Sequence, residues 1–277
     1  MRSLKFGVFC ALLTFVVSLI PMKAMAIETG INWEKGVIRA IGLAAGKSGE
    51  KRVGLARAQA RRAARMDAMR NLTETVEGVR VTGDSSMRDL ELEYDIVKTG
   101  VDGLIKNINE VGEPKFYEDG TCEVILEMPI FGSSSSLAEV AFKPFKEEPK
   151  LPFPQPTSTT IVTTQITAVT GYTGLIVDCT GLNLNPVMSP VIKNDQGTAI
   201  YGHRNLDYDK VVAYGMASYA KNISEQTRAG NNPLIVKAVK LEDHDANPVI
   251  SLADANAILM ANENSKFLDS CSVVFIK

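Results

Sequence analysis

The side chains that could carry catalysis are few in this sequence. The chain has two histidines among its 277 residues, and His203 and His244 lie in unrelated polar segments. His244 stands in the run Glu242-Asp243-His244-Asp245, whose imidazole and carboxylates could in principle bind a metal ion. A solvated loop between a strand and a helix explains the same run more simply. The sequence therefore predicts no catalytic residue, no metal site and no cofactor.

Short catalytic motifs are absent as well. No HExxH, CxxC, P-loop or GxGxxG pattern occurs, and the serine run 133–136 lacks the strand–turn–helix setting of a nucleophile elbow. A secreted enzyme acting on an envelope polymer stays an alternative, with Asp207, Asp209 and the run 242–245 as its candidate carboxylates. An enzyme would need these groups to converge in a pocket, whereas a binding protein needs a surface or a groove.

The N-terminus predicts export. Arg2 and Lys5 form a short positive region, residues 6–20 form an apolar run, and Ala24-Met25-Ala26 supplies the small residues that a signal peptidase needs. We expect cleavage after Ala26 and a periplasmic or cell-envelope location. The apolar run of about 15 residues is shorter than the ~20 of a membrane-spanning helix, so no span is expected after cleavage. An uncleaved N-terminal anchor is the alternative.

Removal of the predicted signal peptide changes both the charge balance and the cysteine count of the protein. Cleavage lowers Lys+Arg from 30 to 27 against 32 Asp+Glu, which argues against nucleic-acid binding because that function depends on a basic surface. Three cysteines remain, and export permits disulfides. Cys179 and Cys271 are the predicted pair because both lie in strand-like runs, with two buried free thiols as the alternative.

The element that organises the first domain is a long helix within the stretch 51–81, which Gly78 ends. Apolar residues recur there every four positions, which predicts one buried stripe lying on a sheet. The stripe consists of Ala56, Ala60, Ala64, Ala68, Leu72 and Val76, with Val53 and Ala63 beside it. Arg57, Arg61 and Arg65 follow another face. That face is either a docking surface for an acidic partner, anionic lipid or glycan, or a solvated face with weak pairs such as Arg70–Glu74.

The first domain, residues 27–131, reads as α+β: an antiparallel sheet covered by this helix. Residues 33–45 predict a strand, and 101–111 with 121–130 predict a hairpin around the Glu118-Asp119-Gly120 turn. Residues 87–99 fit a short helix or an irregular strand. Cys122, Val124, Leu126 and Met128 alternate with more polar positions and are expected to face the helix.

Residues 132–160 are rich in serine and proline and predict a semi-rigid linker.

The second domain, residues 161–277, reads as a small α/β or α+β unit whose strand order the sequence does not decide. Its predicted strands are 173–179 (central), a hairpin within 190–201, 234–241 and 272–276. Its predicted helices are Asp207–Tyr214 and one starting at Ser251, with Ala253, Ala257, Ile258 and Met260 on the buried side.

Two parts of the chain carry a family likeness. In the first domain it lies in 33–42 (WEKGVIRAIG), 56–72 (ARAQARRAARMDAMRNL), 78–81 (GVRV) and 101–130. These strings resemble the LPP-twenty lipoprotein family and the N-terminal domain of flagellar assembly protein T. The second domain, around 172–178 (YTGLIVD) and 232–238 (NPLIVKA), is similar to one that accompanies this module in bacterial envelope proteins.

The resemblance implies a non-enzymatic protein of the bacterial cell envelope and supplies no catalytic residue. The chain lacks the acylated cysteine of the lipoprotein members, so peripheral association with membrane or peptidoglycan takes the place of an anchor. We therefore expect a structural or interaction protein whose partners are envelope proteins or a second copy. A flagellar basal-body assembly factor is the alternative within this class, and deletion of the gene would then abolish motility.

Overall fold

The computed structural model describes residues 28–47, 49, 51–157 and 171–277. The predicted signal peptide lies outside the described residues, and so does the segment 158–170. Within the described part six α-helices and three four-stranded sheets form an α+β fold, as the sequence predicts. None of these helices is both long and apolar enough to cross a membrane.

The first sheet has the strand order β1-β2-β4-β3 and is antiparallel throughout. Its strands are β1 (Gly30–Asn32), β2 (Val37–Ala45), β3 (Lys115–Phe116) and β4 (Thr121–Pro129). The two long strands, β2 and β4, pair from Val37↔Pro129 to Ala45↔Thr121. The predicted alternation in β4 is confirmed, because Cys122, Val124, Leu126 and Met128 are all buried.

Helix α1 (Val53–Glu77) lies across this sheet. The buried stripe is confirmed from Ala60 through Val76. Gly42 of β2 explains how close the two layers come, since a Cβ placed there would lie 2.1 Å from the carbonyl oxygen of Ala64. Small residues on both layers therefore set the distance between helix and sheet. Val53 and Ala63, which the spacing placed beside the stripe, are exposed.

The predicted hairpin is wrong in its first strand except at the last two residues, where Glu110 and Val111 pair with β4. Helix α2 (Met87–Glu93) begins with a capping box at Ser86, and α3 (Asp95–Lys106) follows it directly. Val97, Val101 and Ile105 are buried at a spacing of four, which is a helical period. The Asp119-Gly120 turn does form, but it joins β4 to the two-residue β3, and the long partner of β4 is β2.

The predicted linker is folded in its first half. Ser136 caps helix α4 (Leu137–Ala141), whose residues Leu137, Ala138, Val140 and Ala141 are buried, and a 3₁₀ turn follows at Lys143–Phe145. The short apolar run that forms this helix is surrounded by serines and prolines, so composition alone concealed it. Residues 149–157 carry no helix or strand, and 158–160 lie outside the described residues.

The second half of the chain contains a parallel sheet of order β8-β12-β5-β9 and a mixed sheet of order β10-β11-β6-β7. The strands are β5 (Gly174–Asp178), β6 (Ile192–Asn194), β7 (Ala199–Tyr201), β8 (Ser218–Ala220), β9 (Pro233–Lys237), β10 (Lys240–Glu242), β11 (Asn247–Ile250) and β12 (Val273–Ile276). The helices are α5 (Tyr208–Tyr214) and α6 (Leu252–Ser265).

Most predictions for this half are confirmed: the internal position of β5, the β6–β7 hairpin, the caps by Asp207 and Ser251, and the last strand. Two are wrong. The run 234–241 is divided between β9 and β10, which belong to different sheets. Helix α6 buries Ala255, Ile258, Leu259 and Asn262, whereas Ala253 and Met260 are exposed and Ala257 is half-buried.

The two predicted domains share one hydrophobic core. Buried side chains from both halves belong to a single cluster. At the junction the N–H groups of Met188 and Ser189 donate to the carbonyls of Arg80 and Val81, at 3.0 and 2.7 Å. Trp33 also packs edge-on against Tyr219, with ring centroids 5.7 Å apart. The two halves are therefore packed against each other and are not held apart by an extended linker.

Candidate functional site

An open groove of about 810 Å³ lies between α3, the end of β4, the serine run, α4 and α5. Its apolar members, such as Leu104, Val140 and Val212, are buried or half-buried and form the floor. Its polar members stand at the rim, and most are exposed: Ser134, Glu139, Lys143, Lys146 and Asp209. The volume falls within the range of ligand-binding clefts.

Two glycines of α3 shape the floor. A Cβ at Gly100 would lie 2.6 Å from a methyl of Val140, so this glycine lets α3 pack closely on α4. A Cβ at Gly103 would meet nothing within 4 Å. A glycine inside a helix costs roughly 1 kcal/mol relative to alanine, and packing does not require the one at position 103. Its effect is to leave space in the groove.

The serine run 133–136 is held in place by α4. The Ser136 hydroxyl donates to the Gly132 carbonyl at 2.8 Å and accepts from the Glu139 N–H at 3.3 Å. The Ser135 N–H in turn donates to the Glu139 carboxylate at 2.8 Å. The run predicted as linker is thus the N-terminal cap of a helix and one wall of the groove.

The rim carries charges of both signs. Glu127 pairs with Arg39, and the Lys146 ammonium lies 5.9 Å from the centre of the Tyr208 ring. Burial raises the pKa of Tyr208, with a smaller contribution from nearby carboxylates, so its hydroxyl keeps its proton and can donate. A groove with an apolar floor can hold an apolar side chain of a ligand. The acidic and basic side chains at its rim can then bind amide or charged groups.

The arginine face of α1 contacts the chain's own segment 108–116. Arg61 and Arg65 both bind Glu110, at 2.9 and 3.1 Å, and Arg65 also donates to the Ile108 carbonyl at 2.7 Å. Arg57 lies 5.4 Å from the centre of the Phe116 ring. The sequence missed these contacts because it placed 101–111 in a strand. Docking of a partner on Arg57, Arg61 and Arg65 stays a prediction.

Arg70 does not pair with Glu74. It binds Asp67, one of two polar residues of α1 that reach the edge of β2. The Leu43 N–H donates to the Asp67 carboxylate at 3.0 Å, and the Asn71 side-chain amide donates to the Ile41 carbonyl at 2.8 Å. Both residues belong to the family-like string 56–72, and their spacing of four beside the alanine stripe was the signal that sequence reasoning overlooked.

The candidate carboxylates do not converge in one site. Asp207 accepts from the Lys210 N–H at 3.1 Å as the cap of α5, and Asp209 lines the groove. Glu242 and Asp243 bind Lys193, at 3.3 and 2.7 Å. Hydrogen bonding to Lys193 lowers the pKa of Asp243, and hydrogen bonding to Lys240 and then Lys193 lowers that of Glu242. Among the five, Asp209 alone lines the groove.

The run around His244 forms a left-handed turn. Asp243, His244 and Asp245 have φ angles of 53°, 57° and 62°. This left-handed backbone conformation is unfavourable for L-residues, because the Cβ atom comes too close to the following carbonyl oxygen. The turn is held across the junction, since His244 Nδ1 lies 3.0 Å from the Gly83 carbonyl and 3.2 Å from the Asp84 carboxylate. Within the described residues no group of three or more His, Cys, Asp or Glu side chains could hold a metal ion.

The predicted Cys179–Cys271 disulfide is absent, and both thiols are free and buried, as is that of Cys122. The register explains why. Val273 pairs with Leu175 and Ile276 with Asp178, so Cys271 and Cys179 lie near opposite ends of neighbouring parallel strands. About six residues of strand separate them, roughly 20 Å at ~3.3 Å per residue, whereas a disulfide needs Cα atoms within ~7 Å.

The family model described as the second domain of Tp0624 from Treponema pallidum matches residues 174–277. The matched stretch begins at β5 and includes the parallel sheet, the mixed sheet and both helices of the second half. No curated protein sequence matches this chain.

Proposed function

We propose that this protein is an exported, non-enzymatic structural or interaction protein of a bacterial cell envelope, which binds a protein partner in the groove between α3, α4 and α5. The observation that carries the proposal is the groove itself, with its apolar floor and its rim of Glu139, Lys143, Lys146 and Asp209. An extended peptide segment fits such a lining, because its side chains can enter the floor while its main-chain amides meet the polar rim.

The elements around the groove support specific binding. Helices α3 and α4 are packed together at Gly100, and the serine wall is held by Glu139. A preorganised site loses less conformational entropy when a ligand binds. The family match of residues 174–277 to a domain of a bacterial protein supports a bacterial setting, and the LPP-twenty resemblance of the first half supports the envelope.

Site-specific photocrosslinking in intact cells tests the proposal. A photoreactive residue replaces Lys143 or Asp209 at the rim, and a control replaces Met260, which is exposed on α6 and does not line the groove. We expect the two rim positions to capture the same partner from the envelope and the control to capture none of it. Identical products from all three positions, or none from the rim, would contradict binding in the groove.

Export is tested separately by cell fractionation. We expect the processed protein, shortened by the 26 residues before Ile27, in the periplasmic or envelope fraction. Recovery of the full-length chain in the cytoplasm would refute the envelope assignment, whatever the groove binds.

A further inference from the structure

Among the residues that the structure describes, one edge of β2 is longer than the strand that covers it. Strand β1 pairs with β2 only from Val37 to Arg39, whereas β2 continues to Ala45. The N–H and C=O of one residue in an antiparallel strand point to the same edge, and alternate residues share an edge. The Leu43 N–H and the Ile41 carbonyl bond to side chains of α1 and not to β4, so these two residues direct their main-chain groups to the side of β1, beyond its end. An edge of this kind is a template for pairing with another strand.

Two side chains of α1 occupy this edge. Asp67 accepts the hydrogen bond of the Leu43 N–H, and Asn71 donates one to the Ile41 carbonyl, at 3.0 and 2.8 Å. One residue supplies an acceptor and the other a donor, as a neighbouring strand would. The spacing also fits, since four residues of helix rise ~6 Å and two residues of strand rise ~6.6 Å.

We propose that the edge of β2 from Ile41 to Ala45 is a strand-pairing surface that fits the same edge of a second copy, and that Asp67 and Asn71 keep it closed. Ile41 and Leu43 lie on the same outer face of the sheet, and Leu43 is 52% exposed. Antiparallel pairing about a two-fold axis would place these apolar side chains beside those of the other copy, where cross-strand pairs stabilise a sheet.

The same geometry explains why the native edge stays closed. Pairing would remove both side-chain hydrogen bonds from the edge. It would also bring the Asp67 carboxylates of the two copies toward each other, and like charges across a sheet are destabilising. Arg70 binds Asp67 on its own helix and so holds the carboxylate at its place beside β2. The two residues that close the edge, Asp67 and Asn71, are thus part of the helix that covers the sheet.

The test is the mass of the double variant Asp67→Ala/Asn71→Ala in sedimentation over a wide concentration range. We expect a concentration-dependent doubling of mass relative to the native protein. The matched control is Arg62→Ala/Glu74→Ala, which removes two exposed polar residues from the same helix without touching the edge, and it should keep the native mass. Adding Leu43→Lys to the double variant should restore the native mass, because a lysine on an edge opposes pairing.

Amide hydrogen exchange gives an independent measurement. At low concentration the Leu43 amide should exchange several-fold faster in the double variant than in the native protein, since its acceptor is gone. If the double variant fails to fold, Asp67→Ala and Asn71→Ala are measured singly, and each should give a partial effect on mass. Folded variants with native mass and native Leu43 exchange would overturn the proposal.

Discussion

Gly42 and Gly103 are chemically identical and have opposite roles in packing. A Cβ at Gly42 would lie 2.1 Å from the Ala64 carbonyl oxygen, whereas one at Gly103 would meet nothing within 4 Å. We expect Gly42→Ala to lower the free energy of unfolding by ~1–3 kcal/mol through overpacking. Gly103→Ala should raise it by ~0.5–1 kcal/mol, because alanine favours a helix. Urea denaturation measures both, and equal shifts would contradict the packing described for α1.

The cysteines allow a second prediction on the scale of single residues. Burial raises the pKa of Cys122 and Cys271, and it raises that of Cys179 to about 12. The thiolate is the reactive form, so the folded, processed protein should resist alkylation. Unfolding without a reductant should then expose three reactive thiols. Mass spectrometry counts the modified residues, and a single modification would show that two of the three cysteines are bonded, which would contradict three free thiols.

The alanine stripe and the caps at Asp207 and Ser251 could be read from the sequence because each depends on neighbours within a few residues. The role of Asp67 and Asn71 could not. It depends on where β1 ends against β2, which is a relation between residues far apart in the chain. The disulfide prediction failed for a similar reason, since the register of β5 against β12 separates the two thiols.

The arginine face of α1 predicts an unequal response along one helix. Arg65 is 31% exposed and binds Glu110 and the Ile108 carbonyl, whereas Arg57 makes one contact with the Phe116 ring. Arg65→Gln should lower the free energy of unfolding by about 1 kcal/mol, a value reduced for its partial exposure. Arg57→Gln should cost ~0.5 kcal/mol or less. Urea denaturation of the two variants measures these losses of unfolding free energy. A larger loss for Arg57→Gln than for Arg65→Gln would contradict the contacts described for this face.

Helix α3 shows why some elements were misread. Val97, Val101 and Ile105 have a helical spacing, but β-branched residues and two glycines lower the helix propensity of the segment. Tertiary packing of its buried face on neighbouring elements decides the outcome. The groove was missed for the same reason, since α3 and α4 both line it.

The shared core predicts that the whole described molecule unfolds in one step. Trp33 is the single tryptophan of the chain, and it packs against Tyr219 of the other half. Its fluorescence should therefore change at the same denaturant concentration as the far-ultraviolet circular dichroism, which reports on all helices and strands. Two separated transitions would show that the halves unfold independently.

The way in which the two halves pack together was the feature that the sequence predicted least well. Composition suggested two domains and a linker, but buried residues of α4 and the main-chain bonds at Arg80 and Val81 join the halves. The main-chain bonds pair Met188 with Arg80 and Ser189 with Val81, residues more than a hundred positions apart, and no local pattern specifies them.

The turn at Asp243, His244 and Asp245 has a consequence for mirror-image chemistry. Positive φ angles near 60° are strained for L-residues and natural for D-residues. A chain assembled by ligation with D-aspartate at position 245 would meet its preferred backbone geometry there. Chemical synthesis can therefore relieve the backbone strain of this turn by inverting the chirality of one residue, a change that ribosomal translation cannot make.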